Sequence, residues 1–227
     1  NWDPLDWKLQ KHLPLDRKVK DPTLNLTPTE TYWIDAWNEF VEATLRLRNG
    51  QRLPGFPLWA DAWVLPRNLR IPKGTPSWKQ DFLQKNAHFY EEYKDFIDEW
   101  VEKWGIYTDV FPASRRKLEW QAQDTASLWD TVMHFRPSGI RAKRPTYLPA
   151  LVAITQTSII GPRERRLSVR EAARLQGLPE WFSFDGQSDR ASYKQLGNGV
   201  SVGAVWHVIR TTVERHRDVI EKTCPEL

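Results

Sequence analysis

Apolar residues return at three- and four-residue steps in two long stretches of the first half of the chain. The first stretch opens at Thr27-Pro28-Thr29-Glu30, a capping box with proline at the first helical position. From there Trp33, Trp37, Phe40, Val41, Thr44 and Leu45 draw one face of a helix, and Asn49-Gly50 ends it, with Gly50 supplying a left-handed cap. The second stretch predicts one helix over about residues 77–104, opened by Ser77 and stopped by Gly105. Phe82, Phe89, Tyr93, Ile97, Trp100 and Trp104 line one side of it, and acidic residues from Glu91 to Glu102 fill the others, facing water. Residues 1–26 read as an irregular lead-in with room for one short helix. Between the helices, Pro54, Pro57, Pro66, Pro72 and Pro76 forbid long regular elements and leave space for short strands around Leu58–Leu65.

The character changes near residue 111. Ser114-Arg115-Arg116-Lys117 is basic, and the run from Arg136 to Arg144 is basic with no acidic residue inside it. The apolar stretch from Tyr147 to Ile160 is rich in β-branched residues and predicts one or two strands, with Pro149 at an edge or a strand start. Gly161-Pro162 is a turn. Ser168 through Gln176 predicts a short helix, capped by Ser168 and boxed by Glu171, with Ala172, Ala173 and Leu175 inward and Gly177-Leu178-Pro179 as its stop. Arg170 and Arg174 lie four apart on one side of it. Gln195-Leu196-Gly197-Asn198-Gly199-Val200 reads as a polar turn. Ser201 then caps a last helix with a stripe of Val205, Ile209, Val213, His216 and Ile220. The whole pattern predicts a mixed, helix-rich α/β fold with a small sheet.

Composition narrows the classes. The 227 residues suffice for one large domain or two small ones, and 40% hydrophobic with 27% charged residues is ordinary for a globular protein. No apolar run approaches the roughly 18 residues that span a membrane. The start, Asn1-Trp2-Asp3-Pro4, has neither the basic region nor the apolar core of a signal peptide, and it lacks an initiator Met, which gives the expectation of a chain cut from something longer. Cys224 is the only cysteine, so no internal disulfide can form. His12, His88, His134, His207 and His216 are scattered without ligand spacing, so no metal site is expected. No phosphate-cradling loop and no Ser-His-Asp pattern stands out. The net charge of +4 is compatible with nucleic acid and weak support for it. Thirteen tryptophans, most of them before residue 130, are read mainly as core and helix packing.

Two late strings carry the chemistry. Arg165-Arg166-Leu167-Ser168-Val169-Arg170-Glu171-Ala172-Ala173-Arg174-Leu175-Gln176-Gly177-Leu178-Pro179 is followed, after a short gap, by Tyr193-Lys194-Gln195-Leu196-Gly197-Asn198-Gly199-Val200. This ordered pair resembles motifs IX and X of the cytosine-5 DNA methyltransferases, many of them from restriction–modification systems. The run from Arg136 to Ala153 is similar to the join between the variable target recognition region of that family and motif IX, and the first 135 residues sit where that region belongs.

The resemblance implies a division into recognition domain over 1–185, hinge over 186–197, and motif X turn with final helix over 198–227. That helix would belong to a Rossmann-like catalytic domain. It implies S-adenosylmethionine as the cofactor of the complete enzyme, with Asn198, Gly199 and Val200 beside it, although Gly199 stands where Ala or Ser is usual and Ser201 where Pro is common. Arg166, Ser168, Arg170 and Glu171 take a scaffold role. It further implies double-stranded DNA and an N-terminal catalytic half as partners, no membrane, and a cytoplasmic, DNA-associated bacterial setting.

Members attack a flipped cytosine with a cysteine thiolate from Pro-Cys-Gln, assisted by a Glu in Glu-Asn-Val. Neither motif occurs here, nor does a Phe-x-Gly-x-Gly cofactor loop, and Cys224 follows Thr223 at the extreme end. No catalytic residue is therefore expected in this chain, which alone would be inactive. Arg136, Ser138, Arg141, Lys143 and Arg144 are candidates for DNA contact, the basic run suiting phosphates. Arg67, Asn68, Arg70 and Lys73, with Arg115, Arg116 and Lys117, are candidates for contact with base edges. The alternative reading is a stand-alone DNA-binding or partner-docking module derived from a methyltransferase.

Overall fold

The computed structural model describes residues 9–13, 15–51, 53–122, 125–149, 151 and 157–223. Cys224 and the centre of the expected strand region, residues 152–156, lie outside these. The described residues form a helix-rich α/β structure with one six-stranded mixed sheet. Two compact units are present. The larger contains Asp21–Leu148 and Ser158–Arg166, and the smaller contains His12–Lys20 and residues 167–223. A single turn, α1 (Leu9–His12), occupies the lead-in.

In the larger unit, α2 (Pro28–Leu47) forms as its capping box requires. Thr27 Oγ1 accepts from Glu30 N at 3.2 Å, and Glu30 Oε2 accepts from Thr27 N at 3.0 Å. The helix buries Ile34, Ala36, Trp37, Phe40 and Val41 completely. The single helix expected over 77–104 is two: α3 (Ser77–Glu92) and α4 (Lys94–Trp104). Tyr93 leaves helical geometry (φ −117°, ψ 27°) where its ring meets Phe89 and its hydroxyl accepts from Arg48 at 3.1 Å. Tertiary contact here overrides a continuous apolar stripe. Ser77 is the first residue of α3, not its cap, and Pro76 precedes it with no side-chain capping bond. Trp37, Phe40, Trp63 and Trp100 converge at centroid separations of 4.9–6.1 Å. The indole N–H of Trp37 donates to Arg115 O and that of Trp100 to Ala36 O, each at 2.8 Å, so these two rings are satisfied, while the buried Trp63 N–H has no partner among the described residues.

The sheet packs one face on that aromatic core. Its order is β1 (Leu58–Trp59), β2 (Lys117–Gln121), β4 (Gly139–Lys143), β3 (Val132–Arg136), β5 (Ile159–Ile160), β6 (Arg165–Arg166). Only β2 and β4 run parallel. The basic run at 136–144, read as a join, is thus half of a tight hairpin with Arg136 opposite Gly139. Leu118, Trp120, Met133, Phe135, Ile140 and Ala142 face the core, a period-two pattern masked in the sequence by the charges between them. Of the Tyr147–Ile160 stretch, the described residues hold only β5. Gly139 has φ 137°, and a Cβ there would lie 2.8 Å from both Cβ and O of Lys117.

In the smaller unit, α5 (Val169–Leu175) carries the expected box. Glu171 N donates to Ser168 Oγ at 3.1 Å, and Ser168 N donates to Glu171 Oε2 at 2.9 Å. The buried Glu171 also accepts from Asp16 N at 2.8 Å, which pins the 12–20 segment to this helix. Gly177 (φ 79°) lets the chain come so close that a Cβ would sit 2.5 Å from Gly203 N, and Gln176 O accepts from Val202 N at 2.7 Å. The segment expected as hinge and polar turn is largely helical: α6 (Asp189–Asn198) is capped by Ser188 and anchored by Tyr193 Oη, which donates to Leu167 O at 2.6 Å. A helix cap at Ser188 and the buried Tyr193 outweigh Gly197. Two further helices, α7 (Val202–Arg215) and α8 (Arg217–Thr223), follow and contain no buried residue.

The close approach at Gly139 yields a test. Gly139→Ala is expected to destabilise the protein by about 1–3 kcal/mol, because backbone of β2 blocks the new methyl and the φ is strained. Urea unfolding of the two proteins measures it; equal midpoints would contradict the packing described.

Candidate nucleic-acid interface

The same alternation that buries the aromatic face turns Lys117, Glu119 and Gln121 of β2, Arg141 and Lys143 of β4, and His134 and Arg136 of β3 to the opposite face. Register aligns Glu119, Arg141 and His134 in one row across three strands. This face therefore gathers four cations around one carboxylate. Arg141 Nε donates to Glu119 Oε2 at 2.6 Å, and Ser138 Oγ donates to Glu119 Oε1 at 3.0 Å. Glu119 thus holds the hairpin tip and one cation in place. Lys143 Nζ lies 5.2 Å from the centroid of the Tyr147 ring. Arg136 is half-buried, and among the described residues no group pairs its side chain.

His134 sits within this charge. Its Nε2 is 2.8 Å from Ser158 Oγ. Burial first, then the charges of Lys143, Arg136 and Arg141, push the imidazole down to about 4. Dismissed in the sequence as one of five scattered histidines, it lies two residues from Arg136 in a strand, and that spacing was the available signal.

The other candidates are placed as follows. Arg115 is drawn into the structure. It donates to Arg136 O at 3.0 Å, lies 4.5 Å from the Phe135 centroid and 5.3 Å from that of Trp33, and burial lowers its pKa against the opposing charge of Glu30. Arg116 donates from Nε to Phe111 O at 2.9 Å and lies 3.4 Å from Asp61. These two guanidiniums brace the loop before β2. Arg144 is half-buried. Arg67, Asn68, Arg70 and Lys73 are exposed on the proline-rich loop.

The residues expected to serve as scaffold all make contacts. Arg166 pairs with Glu30 and also donates to Asn25 O at 3.4 Å. Burial would raise the Glu30 carboxyl, but hydrogen bonds from Arg166 and the Thr27 backbone, with the charge of Arg166, hold it below the usual range. Arg170 donates to Phe182 O at 2.8 Å, and Arg174 bridges Asp16 and Glu180. Asn198, Gly199 and Val200 are exposed, and a small recess of about 190 Å³ beside them is lined by Gln176, Phe182, Phe184, Leu196 and Val202. Among the described residues no cluster of His, Cys, Asp and Glu could hold a metal ion, and no helix is long and apolar enough to cross a membrane.

Comparison with known proteins gives these features their class. The model of the C-5 cytosine-specific DNA methylases matches residues 62–214, and the chain belongs to that family. It is 51% identical over 92% of its length to the type II methyltransferase M.AluI of Cellulosimicrobium cellulans, of which the match covers 48%. It is 27% identical over half its length to M.FnuDI of Fusobacterium nucleatum, covering 32% of that protein, and 43% identical over 22% of its length to M.NgoPII of Neisseria gonorrhoeae, covering 16%. The chain therefore spans about half of the first relative and less of the others. No solved structure matches it.

The charge around His134 has a consequence for stability. Its folded pKa of about 4 lies below the ordinary value of 6.5, so between these pH values the unfolded chain binds more protons. Stability is thus full above pH 6.5 and falls as the pH drops towards 4, by up to about 3 kcal/mol from this group. His134→Gln is expected to flatten that part of the profile of unfolding free energy against pH. An unchanged slope would remove the buried neutral imidazole from the account.

Proposed function

We propose that this chain is the target-recognition part of a type II DNA (cytosine-5-)-methyltransferase of a restriction–modification system. The enzyme transfers a methyl group from S-adenosylmethionine to carbon 5 of cytosine in duplex DNA. The reading rests on one observation above the rest: the chain is 51% identical to a methyltransferase of which it covers 48%, and the Pro-Cys-Gln, Glu-Asn-Val and cofactor-loop motifs are absent from its own residues. The nucleophile and most of the cofactor site accordingly lie on other polypeptide, continuous or separate. Residues 1–185 serve recognition, 186–197 connect, and 198–227 return to the catalytic domain.

Three features support this division. The polar sheet face offers Lys117, Arg136, Arg141 and Lys143 to phosphates, with Ser138 at the hairpin tip. Such contacts set register on the duplex without reading it. The exposed Arg67, Asn68, Arg70 and Lys73 can reach base edges. Finally, α7 exposes Val202, Val205, Trp206, Ile209 and Val213 along one side, with Trp206 63% exposed. A run of this kind is stable in water only when something covers it, and a catalytic domain would do so. A module that only bound DNA would have no use for that face.

The residues at the motif X turn fit one flank of the cofactor and no more. The recess beside Val200 is apolar and aromatic, too small for the whole molecule, and Asn198 is free in the described structure to point a polar group at it. Asn198, Gly199 and Val200 would hold S-adenosylmethionine from that side. The bound cofactor supplies the methyl group. The chain's own residues bind the DNA and orient it.

Two measurements test the proposal. Mixed with the N-terminal catalytic half of the M.AluI relative, the chain is expected to restore transfer of labelled methyl groups to duplex DNA, with neither part active alone; activity of this chain by itself would refute the division. In gel shifts, Arg136→Ala and Lys143→Ala are each expected to weaken duplex binding and to lower the slope of log K against log salt by about one. Unchanged slopes would remove the sheet face from DNA contact.

A further inference from the structure

An aromatic cleft opens at the edge of the charged sheet face. Strand β1 pairs with β2 only at Lys117 and Leu118, so Glu119, Trp120 and Gln121 have no strand partner on that side. The space left is a cleft of about 390 Å³, walled by Trp59, Trp78 and Phe82, with Glu119, Gln121 and Ser138 along its polar side. Phe82 meets Trp59 edge-on at 5.7 Å and Trp78 edge-on at 6.0 Å. The wall is rigidly mounted. Asn86, fully buried in α3, accepts from Trp59 N at 2.7 Å and donates to Pro57 O and Phe82 O at 3.0 and 2.9 Å. Yet Trp78 is 59% exposed and takes no part in the core. Both carboxylate oxygens of Glu119 are occupied by Ser138 and Arg141, whereas no described residue bonds the exposed Gln121 amide.

Aromatic walls beside a neutral amide, which both donates and accepts, recognise a flat heteroaromatic group. Trp59 pairs in register with Lys117, so the cleft is continuous with the cations of the sheet face. That charge complements phosphates. We propose that the cleft receives an unstacked nucleobase of the DNA held on this face, with Trp78 contacting the ring and Gln121 hydrogen-bonding its edge. A base inside a duplex shows only its edges, while a base out of the stack offers the ring face that such walls bind. The proposal rests on the DNA-binding reading above.

The purified 227-residue chain tests it in fluorescence anisotropy with a short fully paired duplex and the same duplex carrying a single bulged nucleotide. The wild type is expected to favour the bulged duplex by about fivefold or more. Trp78→Ala and Gln121→Ala should each reduce that preference while leaving affinity for the paired duplex and its salt slope as they were, and Trp78→Phe should keep most of it. Near-ultraviolet circular dichroism checks that the variants fold. No preference in the wild type, or a preference that survives Trp78→Ala and Gln121→Ala, overturns the proposal. If instead Arg136→Ala and Lys143→Ala change binding to neither duplex, the DNA reading of the sheet face fails first, and the cleft proposal with it.

Discussion

The larger unit depends on strict alternation in three central strands. Leu118, Trp120, Met133, Phe135, Ile140 and Ala142 must reach one side of the sheet for the tryptophan cluster to close. Because the side-chain period of a strand is two, that requirement fixes where Lys117, Glu119, Arg141, Lys143, His134 and Arg136 go. The charged face is thus the other half of the core-packing solution. A slip of one residue in any of these strands would bury cations and expose aromatics together, so the register of the sheet and the placement of charge are one constraint.

A second theme is the economy of the two capping-box glutamates. Glu30 closes the box of α2 and also binds Arg166 in the string that resembles motif IX; Glu171 closes the box of α5 and also holds the backbone of Asp16. Each carboxylate satisfies backbone N–H groups at a helix start and fastens a segment remote in sequence. Their burial is tolerable because several donors share the charge. Arg166, Arg170 and Arg174 follow the same logic: each binds within the unit that holds it.

Both capping boxes, the first helix face and the helix stop at Gly105 were legible in the sequence, because each is set by residues within a few positions. The strands were not. Arg136–Lys143 reads as a charged run, and its Ile140 and Ala142 show as core positions only once β2 and β3 lie on either side. The break at Tyr93 arises from contact with Arg48 and Phe89, which no local pattern reports. The family was legible from the ordered motif pair. The basic candidates divided on geometry invisible to composition: Arg115 and Arg116 brace the loop before β2, whereas Arg136 and Lys143 stay on the open side. His134 and the Trp59–Trp78 wall went unremarked because their neighbours come from different elements.

The ends of the larger unit meet late in the chain. Asn25 bridges to Arg165, and the ion pair of Glu30 with Arg166 spans 136 positions. Closing so long a loop is slow, and its reward comes only once the last strands exist. On the ribosome, the tryptophan-rich helices emerge well before β5 and β6 have been made. The nascent polypeptide must therefore carry an unfinished larger unit until its last two strands have been made, the interval in which chaperones and aggregation compete for it.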